Sequence, residues 1–70
     1  MFFKTQTSDE EVDIMNYRGF AQDNEGSVWY FGDEGSQFTI SEYGINSESN
    51  EAAENSGPFT RFDGTITIGN

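Results

Sequence analysis

The fold is decided by residues 20–40, which read FAQDNEGSVWYFGDEGSQFTI. Three strand-forming stretches alternate in this segment with two turns rich in Asp, Glu and Gly, and Asp63-Gly64 supplies a further turn. Turn residues that recur about every nine or ten positions are typical of consecutive antiparallel strands. Both turns contain the tripeptide Glu-Gly-Ser, at 25–27 and 34–36, which indicates that one turn chemistry is used twice.

The pairing predicted from these turns places Phe20 opposite Trp29, and Trp29 opposite Phe38. Since alternate residues of a strand share a face, the sheet then has an apolar face and a mostly polar one. The apolar face carries Val12, Ile14, Phe20, Trp29, Phe31, Phe38 and Ile40. The other face carries Asp13, Met15, Tyr17, Val28, Tyr30, Gln37 and Thr39. A cross-strand aromatic row of this kind would fix the register.

Two segments next to this meander admit alternatives. Residues 8–16 begin with Ser8-Asp9-Glu10-Glu11, whose spacing also fits a capping box and a helix. We favour a strand from Val12 onward, because Val12 and Ile14 then join the Trp29 face. Residues 47–54 contain the Ala pair and are followed by Gly-Pro, which predicts a short helix; the Ser and Asn content fits a polar loop equally well.

The C-terminal segment is predicted to form its own hairpin around Asp63-Gly64, which pairs Arg61 with Ile66 and Phe59 with Ile68. Arg61 then lies on the apolar face, and we expect its guanidinium to reach the rim and meet a carboxylate. Residues 1–70 are therefore expected to form one small acidic domain of mainly β class. It consists of a three-stranded meander from about Val12 to Tyr43 and a C-terminal hairpin, with a short helix as one alternative for residues 47–55.

Composition excludes several classes of protein. The 70 residues include 13 Asp or Glu, 3 Lys or Arg, and no His or Cys, so the formal charge is −10. Zinc sites of Cys and His, a Ser-His-Asp triad and a disulfide framework are thereby excluded. Direct binding to nucleic acid or to an anionic membrane is disfavoured, because attraction to phosphate requires clustered Lys and Arg.

Length and hydropathy set expectations for location and assembly. No stretch approaches the roughly 18 apolar residues of a membrane span, and residues 1–4 lack the apolar run of a signal peptide. We expect a cytoplasmic protein, located in the host cell cytoplasm if it is viral. A chain this short is near the lower limit for a self-sufficient core. We therefore expect a modestly stable monomer, or a chain stabilised by a partner or as a homodimer.

The carboxylates are spaced in two regular patterns. On an extended segment, Asp9, Glu11 and Asp13 point the same way at intervals of about 6.6–6.8 Å, which is broadly similar to the separation of successive phosphates. On a helix, Glu48, Glu51 and Glu54 line one side. Tyr17 and Tyr30 are predicted on the polar face, where tyrosine rings suit a protein interface. These eight residues are the predicted partner-binding residues.

In size and charge, the chain resembles acidic inhibitors of the anti-restriction and anti-CRISPR type, a resemblance that no sequence motif carries. It implies a non-enzymatic, viral (phage) inhibitor whose acidic surface imitates nucleic acid and occupies a basic nucleic-acid-binding protein of host defence. No catalytic residue, metal site or cofactor is expected. Residues 9–13 lack the glycine at the sixth position of a calcium loop, where Ile14 stands. The alternative is an acidic interaction or assembly module whose charge serves solubility or salt adaptation.

Overall fold

The computed structural model describes residues 3–4 and 8–67. Within them the chain forms eight strands and one α-helix: β1 (Phe3–Lys4), β2 (Glu11–Val12), β3 (Gly19–Gln22), β4 (Val28–Phe31), β5 (Gln37–Ser41), β6 (Gly44–Ser47), α1 (Asn50–Asn55), β7 (Phe59–Arg61) and β8 (Ile66–Thr67). Six strands make one sheet in the order β2-β7-β3-β4-β5-β6, and β1 pairs with β8. The predicted mainly β, antiparallel fold is confirmed.

The meander runs from β3 to β6 through tight turns, so it has one strand more than predicted. The extra strand, β6, lies in the segment that was expected to be a polar or helical connection. Its register pairs Ile45 with Ile40 and Asn46 with Thr39. The strand-turn-strand pattern of residues 20–40 is therefore confirmed, and the turn at residues 42–43 adds a fourth strand to it.

The predicted register is wrong by one residue in each hairpin, and both errors have the same cause. Asp23 N–H donates to the Ser27 carbonyl, and Gly32 N–H donates to the Ser36 carbonyl, so each turn encloses three residues. Gly26 and Gly35 occupy the third positions with φ of 86° and 76°. A three-residue loop ending in a left-handed glycine is a common hairpin connection, and it shifts the pairing relative to a two-residue loop.

This shift moves the flanking strands to opposite faces, since a one-residue slip inverts every side chain of a strand. Phe20 pairs with Tyr30, and Tyr30 pairs with Phe38. Trp29 instead pairs with Ala21 and Thr39. The predicted aromatic row therefore exists as Phe20–Tyr30–Phe38, on the face opposite to Trp29.

The core lies between the Trp29 face of the sheet and helix α1. Trp29 and Phe31 stack with ring centroids 5.9 Å apart, and Phe59 meets both edge-on at 5.4 and 5.2 Å. Ala53 of the helix is buried against this trio. Val12 and Ile14 also pack against it, as the sequence predicted.

Helix α1 confirms the helical alternative for the connecting segment. Ser49 is its N-cap, because the Ser49 hydroxyl oxygen accepts a hydrogen bond from Ala52 N–H at 3.1 Å. The helix ends two residues before Gly57-Pro58. It is short, so its stability depends on packing Ala52 and Ala53 against the sheet.

The segment at residues 8–16 is neither the long strand nor the helix that were considered. Strand β2 ends at Val12, and Asp13 then closes a turn: its carboxylate accepts hydrogen bonds from Met15 N–H and from the Asn16 side chain. Asp and Asn favour such turns because their side chains bond to nearby backbone groups. The regular alternation predicted from Val12 to Tyr17 therefore stops at Asp13.

The two C-terminal strands take partners other than each other. Strand β7 lies between β2 and β3, where Arg61 pairs with Ala21, and β8 pairs with β1. A strand between two neighbours satisfies backbone groups on both edges: Arg61 N–H donates to the Glu10 carbonyl and Phe62 N–H to the Phe20 carbonyl. The predicted pairing of Arg61 with Ile66 is thus replaced. Ile68 lies outside the described residues.

The register can be tested with two phenylalanine truncations. We expect Phe31→Ala to lower the free energy of unfolding by about 3–5 kcal/mol, since Phe31 is 3% exposed and its removal leaves a cavity. Phe20→Ala should cost under about 2 kcal/mol, because Phe20 is 38% exposed. Urea unfolding followed by Trp29 fluorescence measures both. Equal losses would contradict the observed register and support the one predicted from the sequence.

Candidate acidic interface

Three of the predicted carboxylates meet around one groove. Glu11, Asp13 and Glu54 line an open groove of about 560 Å³, and we call these three residues the acidic groove residues. Glu11 and Asp13 belong to β2 and the residue after it, whereas Glu54 belongs to the last turn of α1. Positions more than 40 residues apart in the chain are thus brought to one surface.

Pairing of β2 with β7 creates this arrangement. Val12 lies opposite Phe59, so its neighbours in the chain, Glu11 and Asp13, lie beside the strand that follows the helix. Residues 56–58 join α1 to β7 and bring the end of the helix to the same place. Glu51 lies one helical turn before Glu54 and is also exposed. Three of the predicted carboxylates therefore line the groove, and Glu51 lies one helical turn from it along α1.

Apolar residues share the lining of the groove. Val12, Ile14, Ala53, Pro58 and Phe59 line it together with the acidic groove residues. Lys and Arg side chains place their methylene stems on apolar surface and keep the charged group at the rim. A lining that combines apolar side chains with carboxylates is therefore suited to a basic side chain.

The remaining predicted carboxylates are placed differently. Asp9 is exposed in the segment that leads into β2. Glu48 precedes the helix, so the predicted line of Glu48, Glu51 and Glu54 along one helix side is wrong. The Glu48 carboxylate instead accepts a hydrogen bond of 2.8 Å from the Thr39 hydroxyl, and the Glu48 carbonyl accepts one from the Gln37 amide. Glu48 is thus half-buried and tied to β5.

The two predicted tyrosines lie apart from the groove. Tyr17 was expected on the polar face, but it packs against the core and meets Phe31 edge-on at 6.5 Å, because the strand alternation ends at Asp13. Its hydroxyl donates to the Phe20 carbonyl at 2.6 Å. Tyr30 is partly exposed and packs on Phe20 with centroids 4.9 Å apart, on the face opposite to Trp29.

The arginines neutralise carboxylates other than the acidic groove residues. Arg18 pairs with Asp33 at 3.5 Å, and Arg61 pairs with Asp63 at 2.7 Å and with Glu10 at 4.0 Å. The expectation that Arg61 meets a carboxylate at the rim is confirmed. In the part of the chain that the structure describes, no arginine forms an ion pair with Glu11, Asp13 or Glu54.

Sequence reasoning missed an apolar surface on the outer face of the sheet. Five residues line it, and we call them the outer patch: Phe20, Tyr30, Phe38, Ile40 and Ile45. The patch encloses about 360 Å³, and Ile45 is 66% exposed. The alternation of apolar residues predicts this patch only if each hairpin loop is assigned three residues rather than two, because the register then places Phe20, Tyr30 and Phe38 on one face.

Comparisons of the chain with protein-family models, with curated proteins and with solved structures find no match. Among the residues that the structure describes, no group of three or more acidic side chains is arranged to hold a metal ion. Over the same residues, no helix has the length and apolar character needed to cross a membrane.

The carboxylate of Asp23 has a structural role, whereas the sequence alone identifies it only as one of several acidic residues in the turns. Asp23 accepts hydrogen bonds from Glu25 N–H and Ser27 N–H, both at 2.9 Å, and from the Trp29 indole N–H at 3.0 Å. It therefore holds the first turn of the meander and satisfies the one polar atom of the buried tryptophan side chain. The Asp at the start of a Gly-containing turn was the available signal.

Removing this carboxylate should destabilise the fold. We expect Asp23→Ala to lower the free energy of unfolding by about 1–3 kcal/mol, because the Trp29 N–H loses its partner. The control is Glu25→Ala, which removes an exposed carboxylate from the same turn without removing those hydrogen bonds. Urea unfolding compares the two variants, and equal stabilities would contradict the structural role of Asp23.

The environment of Tyr17 predicts a dependence of stability on alkaline pH. Burial raises the pKa of Tyr17 above its ordinary value of 10.0; Arg61 opposes the rise, and Asp63 and Glu10 add to it. Because the folded-state pKa is raised, the stabilisation is complete below pH 10 and is lost as the pH rises through the folded-state pKa.

We therefore expect the urea midpoint to fall as the pH is raised above 10, and to fall less steeply in Tyr17→Phe. The variant keeps the ring that packs on Phe31 but has no ionisable hydroxyl. Midpoints measured at closely spaced pH values on both proteins give the comparison. Parallel curves would show that the alkaline loss of stability comes from other groups.

Proposed function

We propose that the chain is a non-enzymatic viral (phage) inhibitor that imitates nucleic acid and occupies a basic nucleic-acid-binding protein of host defence, of the anti-CRISPR or anti-restriction type. The observation that supports this proposal is the convergence of Glu11, Asp13 and Glu54 on one groove. The carboxylates come from two separate elements, and no described arginine pairs with them. Glu11 and Glu54 are therefore open to cations of a partner. Asp13, whose carboxylate also holds the turn to Met15 and Asn16, adds its charge beside them.

The net charge supports the same role over longer distances. A charge of −10 on 70 residues gives a field that attracts a basic surface and increases the rate of association at low salt. The acidic groove then offers a place where the attracted surface can be held. A partner's Lys or Arg would lay its stem on the more exposed lining residues Val12, Ile14 and Pro58 and direct its charge to the carboxylates.

The proposal predicts a specific effect of charge at the groove. We compare Glu11→Gln/Glu54→Gln with the control Glu25→Gln/Glu42→Gln, which removes two exposed carboxylates from turns elsewhere. Both pairs change the net charge from −10 to −8. Since an exposed ion pair contributes about 0.2–1 kcal/mol, we expect the groove pair to weaken partner binding roughly two- to thirtyfold and the control pair to change it little.

The measurement uses the immobilised full-length chain and extracts of candidate host cells. Captured proteins are eluted with graded salt, and in parallel with duplex DNA. We expect the captured protein to be a nucleic-acid-binding protein, to be released at moderate salt and to be displaced by the DNA. Retention in the presence of excess DNA, or equal weakening by the two variant pairs, would contradict nucleic-acid mimicry.

The alternative function, an interaction or assembly module, is favoured by a different observation. The outer patch exposes aromatic and aliphatic side chains on a surface that no carboxylate lines. An association through this patch would strengthen as salt screens the net charge, whereas binding through the acidic groove would weaken. Salt dependence therefore separates the two functions.

A further inference from the structure

The outer patch reaches the edge of the main sheet. Strand β6 is the last strand in the order β2-β7-β3-β4-β5-β6 of the described residues, and Ile45 of β6 belongs to the patch. Natural proteins protect such edges with lysine, proline, charge or a bulge. The residues of β6 are Gly-Ile-Asn-Ser, which include no charge and no proline. The edge is thus neutral in a chain that is otherwise highly charged.

The backbone of β6 has groups available for a further strand. Glu48 N–H donates to the Gln37 carbonyl, and hydrogen-bonded pairs alternate along an antiparallel ladder. Gly44, Asn46 and Glu48 therefore direct their N–H and C=O groups to β5. Ile45 and Ser47 direct theirs away from β5, to an edge that no other strand of the described residues pairs with. An added antiparallel strand would bond to these two residues.

The charge of the patch and of the edge indicates which strand can pair with β6. A cationic partner would meet no carboxylate in the lining of the outer patch, so the patch offers it nothing beyond apolar contact. A second copy of the chain brings an equally neutral patch and an equally neutral edge. Two copies of β6 can pair antiparallel about a two-fold axis, which is the common symmetry of homodimers.

The available area suits a weak dimer. Tyr43 is 90% exposed and Ile45 is 66% exposed, and both lie at the β6 edge, where an aromatic side chain can bury about 150–250 Å². Tyr30 and Phe20 belong to β4 and β3 and stay uncovered when the edges pair, so the buried area consists of Tyr43, Ile45 and the edge backbone. Stable interfaces bury about 800 Å² per partner, and weak ones bury less.

We propose that the chain forms a reversible homodimer in which the β6 edges of two copies pair and their outer patches become continuous. In the pairing centred on Ile45, the Ile45 side chains of both copies face each other and Tyr43 faces Ser47 of the second copy. This inference names the partner for the assembly-module alternative and is independent of the acidic groove.

The same pairing places Glu42 opposite Glu48 of the second copy, and the two copies also repel through their net charges. Like charges directly opposite each other destabilise a strand pair. Salt therefore favours the dimer: at about 1 M the screening length is roughly 3 Å, and at 0.01 M it is about 30 Å.

Sedimentation equilibrium of the full chain tests the proposal over a range of protein concentrations at low and high salt. The average mass should rise above the monomer mass of 7.9 kDa with concentration, and should rise further at high salt. Glu42→Gln should increase association at low salt, because one repulsive carboxylate is removed from each copy.

Two variants act on the interface, and one serves as a control. Ile45→Lys places a charge on the patch, and Ser47→Pro removes an outward N–H that β5 does not use; both should remain monomeric at every salt concentration. Asn46→Lys makes the same charge change on the other face of β6 and should still dimerise. Circular dichroism checks that each variant is folded.

A wild-type mass that stays at the monomer value at high concentration and high salt would overturn the proposal. So would association that Ile45→Lys and Ser47→Pro leave unchanged, or association that weakens as salt increases. None of these outcomes bears on the acidic groove, which is tested by DNA competition and by the Glu11 and Glu54 variants.

Discussion

The arrangement of the molecule depends on two hairpin loops of three residues, each ending in a glycine with positive φ. Gly26 and Gly35 adopt a conformation that costs other residues about 1–2 kcal/mol. At Gly35 a β-carbon would meet no atom within 4 Å, so the constraint is torsional rather than steric. These loops set the register of β3, β4 and β5. The register in turn puts Trp29 and Phe31 in the core and Phe20 and Phe38 outside it.

The carboxylates of the chain serve different purposes that net charge alone does not distinguish. Asp23 and Asp13 hold turns, Glu48 accepts a hydrogen bond from β5, and Asp33 pairs with an arginine. Glu11 and Glu54 are exposed at the groove where β2 and α1 meet, and Glu51 is exposed on α1. A small core must therefore hold these repelling groups together, so structural carboxylates such as Asp23 offset part of the repulsion that the others create.

Local features were predictable from the sequence, whereas features that depend on distant pairing were not. The turns at residues 23–26 and 32–35 follow from Asp, Asn and Gly, and Ala52-Ala53 ahead of Gly57-Pro58 indicates the helix as one of two alternatives. Two-residue and three-residue loops are both compatible with those turn residues, so the register was placed one residue away. The position of β7 between β2 and β3 joins residues about 40 to 50 positions apart, which no local pattern encodes.

In the candidate site, too, the local features were predictable from the sequence and those that depend on distant pairing were not. The sequence identified Glu11, Asp13 and Glu54 as exposed acids, and their meeting at one groove required the β2–β7 pairing. The outer patch was hidden by the register error, because Phe20 and Phe38 had been assigned to the core. Glu48 was assigned to a helix that begins two residues later, and its contact with Thr39 depends on β6, a strand that was not predicted.

The strand order of the main sheet separates two chemically unlike surfaces. The acidic groove lies at the β2 edge, where α1 packs, and the outer patch reaches the opposite edge at β6. A substitution on one surface therefore leaves the other's side chains in place, apart from effects carried through Trp29 and Phe31. Each surface can consequently change during evolution without altering the chemistry of its counterpart.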